Sequence, residues 1–164
     1  MDTRIETDRL ELVLSSLEEA RAAIGKMSEA DRAHLSPKWL AMLDEATEAD
    51  PWILGFNMQR REDGSTVGQC GFKGPPDEAG CVEIAYAVVD EEQGNGYATE
   101  SAAALTTYAL GHEGVRVVRA HTLPESNAST RVLTKCGFKC LGDVIDPDDG
   151  SVWRWEFEPS VADS

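Results

Sequence analysis

The feature that most constrains this chain is a glycine-rich turn, Gln93-Gly94-Asn95-Gly96-Tyr97-Ala98, which stands between a strand-like apolar run and a long helix-like run. The first turn of a helix has unpaired N–H groups and a partial positive charge, so it suits an anion such as a phosphate. Gly94 and Gly96 carry no side chain that would keep an anion away from the backbone. The turn therefore predicts a phosphate cradle, although two-glycine turns also occur in loops that bind nothing.

Two other phosphate-binding motifs do not fit the turn. A P-loop requires a lysine followed by Ser or Thr after its second glycine, and no lysine follows Gly94 at that spacing. A dinucleotide-binding turn requires a third glycine, and Thr99 takes its place here. Hairpins also precede the turn, whereas a dinucleotide fold has a strand-helix-strand unit there. Both motifs are therefore excluded.

Hydrophobic periodicity places the turn in an α+β chain. Strands are predicted over 8–14, 52–59, 66–72, 81–89, 115–123, 138–144 and 152–157, and helices over 17–24, 29–46 with a break, 97–110 and 127–135. Asp63-Gly64 predicts a hairpin, because glycine permits the positive φ of a tight turn. The strands at 52–59, 66–72 and 81–89 are expected to form an antiparallel meander. Residues 1–164 are expected to be one domain with a frayed tail at 159–164.

Composition and charge exclude several classes of protein. The 30 acidic and 15 basic residues give a net charge of −15, which repels nucleic acid and either attracts amines or supports solubility. No run approaches the roughly 18 apolar residues of a membrane span, and no secretory signal precedes the first strand, so a cytoplasmic protein without membrane contact is expected. The four cysteines form no CxxC pair, so reduced thiols and no metal site are expected.

The order of the elements, together with two motifs, resembles the GNAT superfamily of N-acetyltransferases across nearly the whole chain. The cofactor signature of that superfamily is Gln or Arg, two residues, Gly, one residue, then Gly or Ala, and Gln93, Gly96 and Ala98 match it. The segment HTLPESNASTRVLTKCGF, His121 to Phe138, resembles the second signature of the ribosomal-protein N-terminal (RimJ/RimL-like) branch. The resemblance implies a three-layer α/β/α fold with a mixed, mostly antiparallel sheet of six or seven strands and splayed central strands.

The resemblance also implies a site for acetyl-CoA. The strand before the turn would pair its backbone with the pantetheine arm through Ala87, Val88 and Val89, and the amide of Val88 would polarise the thioester carbonyl. Asn127 would contact the pantetheine arm or cap its helix; many relatives have this asparagine one residue earlier, where the chain has Ser126. The amides expected to bind the pyrophosphate belong to the turn and the first helical residues, Gly94, Asn95, Gly96, Tyr97, Ala98 and Thr99.

Two residues are candidates for proton transfer. Glu83 is the candidate base, because an attacking amine with a pKa of about 10.4 must first lose a proton; a solvated glutamate at a strand edge is the structural alternative. Ser129 stands where the ribosomal-protein branch has a serine beside the sulfur of coenzyme A, or it is only a helix cap. His112 and His121 are isolated in the sequence, so structural roles are expected for both.

These features predict an N-acetyltransferase that passes an acetyl group from acetyl-CoA to a primary amine by direct attack. The acceptor is expected to be a protein N-terminus or a small-molecule amine, and a homodimer stays open as the state of assembly. The alternative is a non-catalytic acyl-CoA-binding module that senses the cofactor or contacts another protein. Binding and turnover use the same turn, so the sequence does not separate these two functions.

Overall fold

The computed structural model of the chain describes residues 4–33, 37–47, 50–146 and 150–158. The tail expected at 159–164 lies outside these residues. The helices are α1 (Leu17–Gly25), α2 (Glu29–Arg32), α3 (Pro37–Glu45), α4 (Tyr97–Leu110) and α5 (Ala128–Lys135), with a short 3-10 turn at Asp90–Glu92. The strands are β1 (Arg4–Glu6), β2 (Leu10–Leu14), β3 (Phe56–Arg60), β4 (Thr66–Phe72), β5 (Cys81–Val88), β6 (Val117–Thr122), β7 (Lys139–Asp146) and β8 (Gly150–Phe157).

The described strands form one sheet in the order β1-β2-β3-β4-β5-β6-β8-β7. Neighbouring strands are antiparallel except β5 and β6, so the expectation of a mixed, mostly antiparallel sheet is confirmed. The expected six or seven strands were too few, because β1 adds an eighth. At three residues β1 is too short for alternation to reveal it. The third strand also begins later than predicted, at Phe56, because residues 51–54 form a turn.

The predicted meander of β3, β4 and β5 is confirmed. Its first hairpin turns at Gly64, whose φ of 74° lies in the region that favours glycine. The Oδ1 atom of Asp63 accepts a hydrogen bond of 3.0 Å from the backbone N–H of Ser65, and Arg60 donates to the same carboxylate. The hairpin fixes the register that carries β5 to the centre of the sheet.

The two parallel strands at the centre separate after only three paired residues. Cys81, Val82 and Glu83 of β5 pair with the first residues of β6, whereas β5 continues to Val88. The expected splay is therefore confirmed. From Ile84 onward the edge of β5 that faces β6 has no strand beside it among the described residues, so a cleft opens there.

One face of the sheet packs against α4. The ring of Tyr108 in α4 lies 6.0 Å from Phe72 and 6.3 Å from Phe56, centroid to centroid. Because side chains alternate along a strand, Ile84 and Tyr86 of β5 point to this same face. These contacts hold the C-terminal half of α4 against the sheet.

The opposite face of the meander is polar and open. Ala85 and Ala87 are exposed there, as is Gln69, whose side-chain amide donates to Oδ1 of Asn57 at 3.2 Å. Glu83 points to this face as well, at the point where β5 and β6 part. None of the described helices has the length and apolar character that crossing a membrane would require.

Candidate active site

A groove of about 350 Å³ follows the cleft beside β5 and runs under the glycine-rich turn to α5. Several of the residues predicted from the sequence line it, namely Ala87, Val88, Gly94, Gly96, Tyr97, Ala98, Thr99 and Ser129. Val89, Asn95, Asn127 and Glu83 do not form its wall. The structure thus brings the strand, the turn and the second motif together around one cavity.

The turn presents the N-terminus of α4 to this groove. Gly94 and Gly96 have φ values of 85° and 84°, so both need the conformational freedom of glycine. Gly96 occupies the N-cap position of α4, and no side chain caps the helix there. The first amides of α4 are therefore free to bind an anion, which agrees with the predicted phosphate cradle.

Two side chains hold the turn in place. The amide of Gln93 donates to the carbonyl oxygen of Val88 at 3.1 Å, and the amide of Asn95 donates to the carbonyl oxygen of Glu92 at 2.9 Å. Gln93 thereby ties the turn to the end of β5. Asn95 braces the loop from within and leaves the groove wall to its neighbours.

Along β5, only every second residue directs its backbone N–H and C=O into the cleft. Val89 donates its N–H to Val67 at 2.9 Å, and Glu83 accepts through its carbonyl from Lys73, so the odd-numbered residues bond to β4. Hydrogen-bonded and non-bonded positions alternate along an antiparallel pair, so the backbone of Tyr86 and Val88 faces the cleft instead. Of the three residues predicted to pair with pantetheine, Val88 thus has its N–H directed into the groove, whereas that of Val89 is already bonded.

The second motif starts α5, and its capping residue is Asn127. The Oδ1 atom of Asn127 accepts from the N–H of Thr130 at 3.0 Å, and the Thr130 hydroxyl accepts from the N–H of Asn127 at 2.9 Å. Of the two roles considered for Asn127, the structure shows the helix cap. Ser129 is consequently not needed as the cap, and its side chain lies half-buried on the groove wall.

Tyr86 was not among the predicted site residues, yet it lines the groove beside Ser129. Its hydroxyl donates to the carbonyl oxygen of Ser129 at 3.4 Å, which joins β5 to α5 across the cleft. Burial raises the pKa of Tyr86 to about 12, so the phenol keeps its proton at neutral pH. The alternating pattern of β5 predicts a core position for Tyr86, because the pattern does not reveal that β6 separates from β5 beside this residue.

Two basic residues on α5 were also missed. Arg131 and Lys135 are four residues apart, so they share one helix face, and both are exposed along the groove opposite the glycine turn. They place positive charge at this groove in a chain whose net charge is −15. Their i, i+4 spacing within the second motif was the signal that could have revealed them.

On the open face of the sheet, Glu83 lies at the centre of a polar cluster. Its Oε2 atom is 3.0 Å from Nδ1 of His121 on β6 and 3.1 Å from Nζ of Lys73. Nε of Arg154 on β8 donates to Nε2 of His121 at 3.2 Å, and Oδ1 of Asp146 lies 4.0 Å from Nδ1. His121 has no partner nearby in the sequence, and it meets Glu83 because parallel pairing of β5 with β6 joins residues 38 positions apart.

The environment of Glu83 favours its charged form. Burial acts to raise the pKa of Glu83, but the hydrogen bond from His121 and the positive charge of Lys73 outweigh it and lower the pKa below its usual value. Glu83 therefore stays ionised at neutral pH. It is a partly buried residue with two partners, and this differs from the solvated strand-edge glutamate considered as the structural alternative.

Glu83, His121 and Asp146 offer ligand atoms within 4.8 Å of one another, a spacing that could hold a metal ion. The contacts of the same atoms favour a different arrangement. Lys73 lies against Oε2 of Glu83, and Arg154 donates to Nε2 of His121. Two cationic groups beside a small ligand set oppose a bound cation, so we treat the cluster as a hydrogen-bonded network.

Known proteins share the fold and part of the sequence. Residues 6–139 match the acetyltransferase (GNAT) domain model. An uncharacterized N-acetyltransferase, YjdG of Bacillus subtilis (strain 168), is 34% identical over 89 residues, which make up 54% of this chain and 51% of that protein. The chain thus spans about half the length of the curated relatives it matches.

Among solved structures, RimL, a ribosomal L7/L12 alpha-N-protein acetyltransferase in complex with coenzyme A, superposes with a TM-score of 0.68 at 15% identity, covering 95% of this chain and 98% of RimL. The aminoglycoside acetyltransferase AAC(6')-Ib with coenzyme A superposes with a TM-score of 0.62 at 16% identity, covering 90% and 93%. These similarities agree on the fold, and the domain match covers most of the sequence. The chain therefore belongs to the GNAT acetyltransferase family.

Proposed function

We propose that the protein is an N-acetyltransferase that transfers an acetyl group from acetyl-CoA to a primary amine. The observation that carries the proposal is that the uncapped N-terminus of α4 and the unpaired backbone edge of β5 meet in the same groove. The first suits a pyrophosphate, and the second suits the amide groups of a pantetheine arm. The domain match and the folds of coenzyme A-binding neighbours support the same ligand.

The residues present fit coenzyme A along the whole groove. The amides at the start of α4 would hold the pyrophosphate, and Arg131 and Lys135 would neutralise phosphate charge from the other side. The backbone of Tyr86 and Val88 would pair with the pantetheine arm in place of the missing β6 partner. This arrangement leads the pantetheine arm along the cleft edge of β5 and directs the thioester towards the point where β5 and β6 part, about 13 Å along the strand from Val88.

The chemical step uses groups on both sides of that point. Glu83 takes a proton from the acceptor ammonium, directly or through one water, and the freed amine forms a C–N bond to the acetyl carbon. A cleft-facing N–H of β5 donates to the thioester oxygen as negative charge develops there, and Tyr86 lies nearer to this point than Val88, the residue predicted from the sequence. The C–S bond breaks with its electron pair on sulfur, and the hydroxyl of Ser129 or Tyr86 donates a proton to the thiolate and recovers one from the new amide nitrogen. The products are the acetylated amine, free coenzyme A thiol and one released proton.

The open face of the sheet is the proposed acceptor side. Glu83 points to it, and the exposed Ala85 and Ala87 leave room above β5 for a bound amine. RimL acts on a ribosomal protein and AAC(6')-Ib on aminoglycosides, so neighbours of this fold use protein N-termini as well as small amines. The negative charge of the chain attracts either kind of cation.

A screen of acceptors with acetyl-CoA tests the proposal. Release of free thiol would be followed across N-terminal peptides, polyamines, amino acids and aminoglycosides. Thiol release with one class, matched by the mass of an acetylated product, is expected. Tight coenzyme A binding without release across the panel would favour a non-catalytic acyl-CoA-binding module. Tight NAD binding without coenzyme A binding would refute both functions.

The four cysteines, Cys70, Cys81, Cys136 and Cys140, are free thiols, which supports a reducing compartment such as the cytoplasm. Burial raises the pKa of Cys70 to about 12, so this thiol is unreactive. The homodimer stays a prediction, and sedimentation velocity at micromolar concentration would test it.

A further inference from the structure

The carboxylate of Glu83 is held by one oxygen only. Both of its hydrogen-bonding partners, Nδ1 of His121 and Nζ of Lys73, approach Oε2, at 3.0 and 3.1 Å. Among the described residues no hydrogen bond reaches Oε1. A carboxylate offers about four acceptor sites on its two oxygens, so Glu83 keeps a free oxygen while its orientation is fixed through the other.

The network also assigns the proton of His121. A guanidinium can only donate, so Nε2 of His121 must accept the hydrogen bond from Arg154 and carries no proton. The ring proton is then on Nδ1, where it is donated to Oε2 of Glu83. The side chain of His121 is 4% exposed, so water does not compete for either nitrogen.

We propose that His121 is a positioning residue, held in its Nδ1–H form by Arg154, which fixes the Glu83 carboxylate so that Oε1 faces the acceptor amine. The inference rests on the proposed function, because it assigns Glu83 to proton transfer. It adds a chain of three side chains from three neighbouring strands, β5, β6 and β8, in which the last residue sets the tautomer of the second. His121 and Arg154 are not catalytic residues in this scheme, since neither touches the substrate.

The charged groups that the structure describes around the network are consistent with this role. Lys73 stabilises the negative charge of Glu83, and Asp146 at the end of β7 lies 4.0 Å from the Nδ1–H of His121, on the side where the ring carries its proton. Arg119 pairs in register with Glu83 but is bonded through two nitrogens to Glu156 on β8, so it does not compete for Oε2. Among the described residues, Arg154 is the cationic group bonded to the ring, and it contacts the nitrogen that carries no proton.

Two variants of similar polarity distinguish the positioning role of His121 from a contribution to packing alone. In His121→Asn the side-chain amide keeps an N–H near the position of Nδ1, whereas in His121→Gln the amide sits one bond further out. We expect H121N to keep most of the activity. We expect H121Q to lower kcat by about ten-fold or more, because hydrogen bonds to charged groups are among the stronger ones.

The pH dependence of kcat/KM separates a positioning role from a purely structural one, because a structural role of His121 would not shift it. Loss of a donor to the charged form raises the pKa of a carboxyl group. The acid limb of kcat/KM should therefore move to higher pH in H121Q and stay in place in H121N. The matched control is His112→Gln on α4, which removes an exposed histidine bonded to the carbonyl oxygen of Tyr108 and should leave both quantities unchanged.

The kinetics would use the best amine from the acceptor screen, and 15N NMR of the histidine rings needs no acceptor. At neutral pH, His121 should show a protonated Nδ1 and an unprotonated Nε2. A ring protonated on Nε2, or H121Q with wild-type kcat and acid limb, would overturn the inference. So would stoichiometric bound zinc together with loss of activity on chelation, since the metal would then occupy Nδ1.

Failure of the inference and failure of the proposed function give different results. If Glu83→Gln retains full turnover, Glu83 is not the base, and the role of His121 in proton transfer fails with it. If E83Q loses turnover and keeps its coenzyme A affinity while H121Q behaves as wild type, only the inference fails. Absence of turnover with any amine refutes the transferase, and the NMR measurement still decides the tautomer.

Discussion

Replacement of Gly68 by alanine tests whether the groove depends on close approach of β4 and β5. Gly68 pairs with Val88, the residue whose N–H faces the groove. A methyl group at position 68 would lie 2.3 Å from the backbone oxygen of Ala87 and 3.0 Å from Cα of Val88. Both contacts are with backbone, so no side chain can turn away to relieve them.

The size of the effect follows from these distances. Ordinary contact starts at 3.4 Å, so β5 must move by about 1 Å for the methyl group to fit. Overpacking of this kind costs about 2 kcal/mol of unfolding free energy, or about 4 to 8 °C in Tm for a chain of this length. A misplacement of about 1 Å at a catalytic group can lower the rate by about 100-fold. We therefore expect kcat/KM of Gly68→Ala to fall by about 10- to 100-fold, with weaker coenzyme A binding.

The assay pairs thermal unfolding and coenzyme A titration with thiol release. Gly55→Ala is the matched control, because the added methyl group there meets only Cys70 O, at 3.6 Å, an ordinary contact. G55A should retain the stability and the coenzyme A affinity of the wild type. If G68A matches G55A in Tm, affinity and turnover, the groove does not depend on the spacing of β4 and β5, and the reasoning fails.

Three further changes probe the groove. Gly96→Ala should weaken coenzyme A binding about ten-fold, because a φ of 84° strains an L-residue by about 1 to 2 kcal/mol. The control is Gly64→Ala, which places a similar strain in the β3–β4 turn. It should lower Tm and leave the coenzyme A affinity unchanged. Arg131→Gln with Lys135→Gln should weaken binding of coenzyme A more than that of pantetheine and flatten the salt dependence of the coenzyme A affinity; equal losses for both ligands would contradict a phosphate role. Tyr86→Phe should lower kcat and retain the coenzyme A affinity, and an unchanged kcat in Y86F would leave Ser129 as the proton donor. Because burial raises the pKa of Tyr86 to about 12, ionisation of this phenol should not lower the wild-type rate below about pH 11.

Local sequence signals predicted the parts of the fold that depend on local physics. The Asp63-Gly64 turn and the Gly96 start of α4 both follow from the conformational freedom of glycine, and both occur as predicted. The short strand β1 lacks such a signal, since three residues do not establish a period. The strand predicted from residue 52 starts at Phe56, because Asp50 caps a turn through the N–H of Trp52 instead.

Site residues whose roles depend on non-local contacts could not be predicted in the same way. Glu83 and His121 meet only because a helix and two loops carry β6 back beside β5. Whether the N–H of Val89 or of Val88 faces the cleft depends on the register with β4, which a strand's sequence does not fix. Arg131 and Lys135 were recognisable as one helix face, but their ligand was not, because the groove forms only on packing α5 against the turn.

The two faces of β5 show how one short strand could serve the two substrates of the proposed reaction. Tyr86 and Val88 point towards α4 and meet the donor groove, whereas Glu83 and Ala85 point to the open face; Ala87 points there too but also touches the groove. Alternation thus directs the donor side and the acceptor side of β5 to opposite faces of the sheet, with Ala87 at the border between them. They can meet past Glu83, where β6 separates from β5 and none of the described strands lies beside that edge of β5. The proposed transfer would therefore depend on the early end of the parallel pairing, because an extended β5–β6 ladder would close the cleft that opens beside β5.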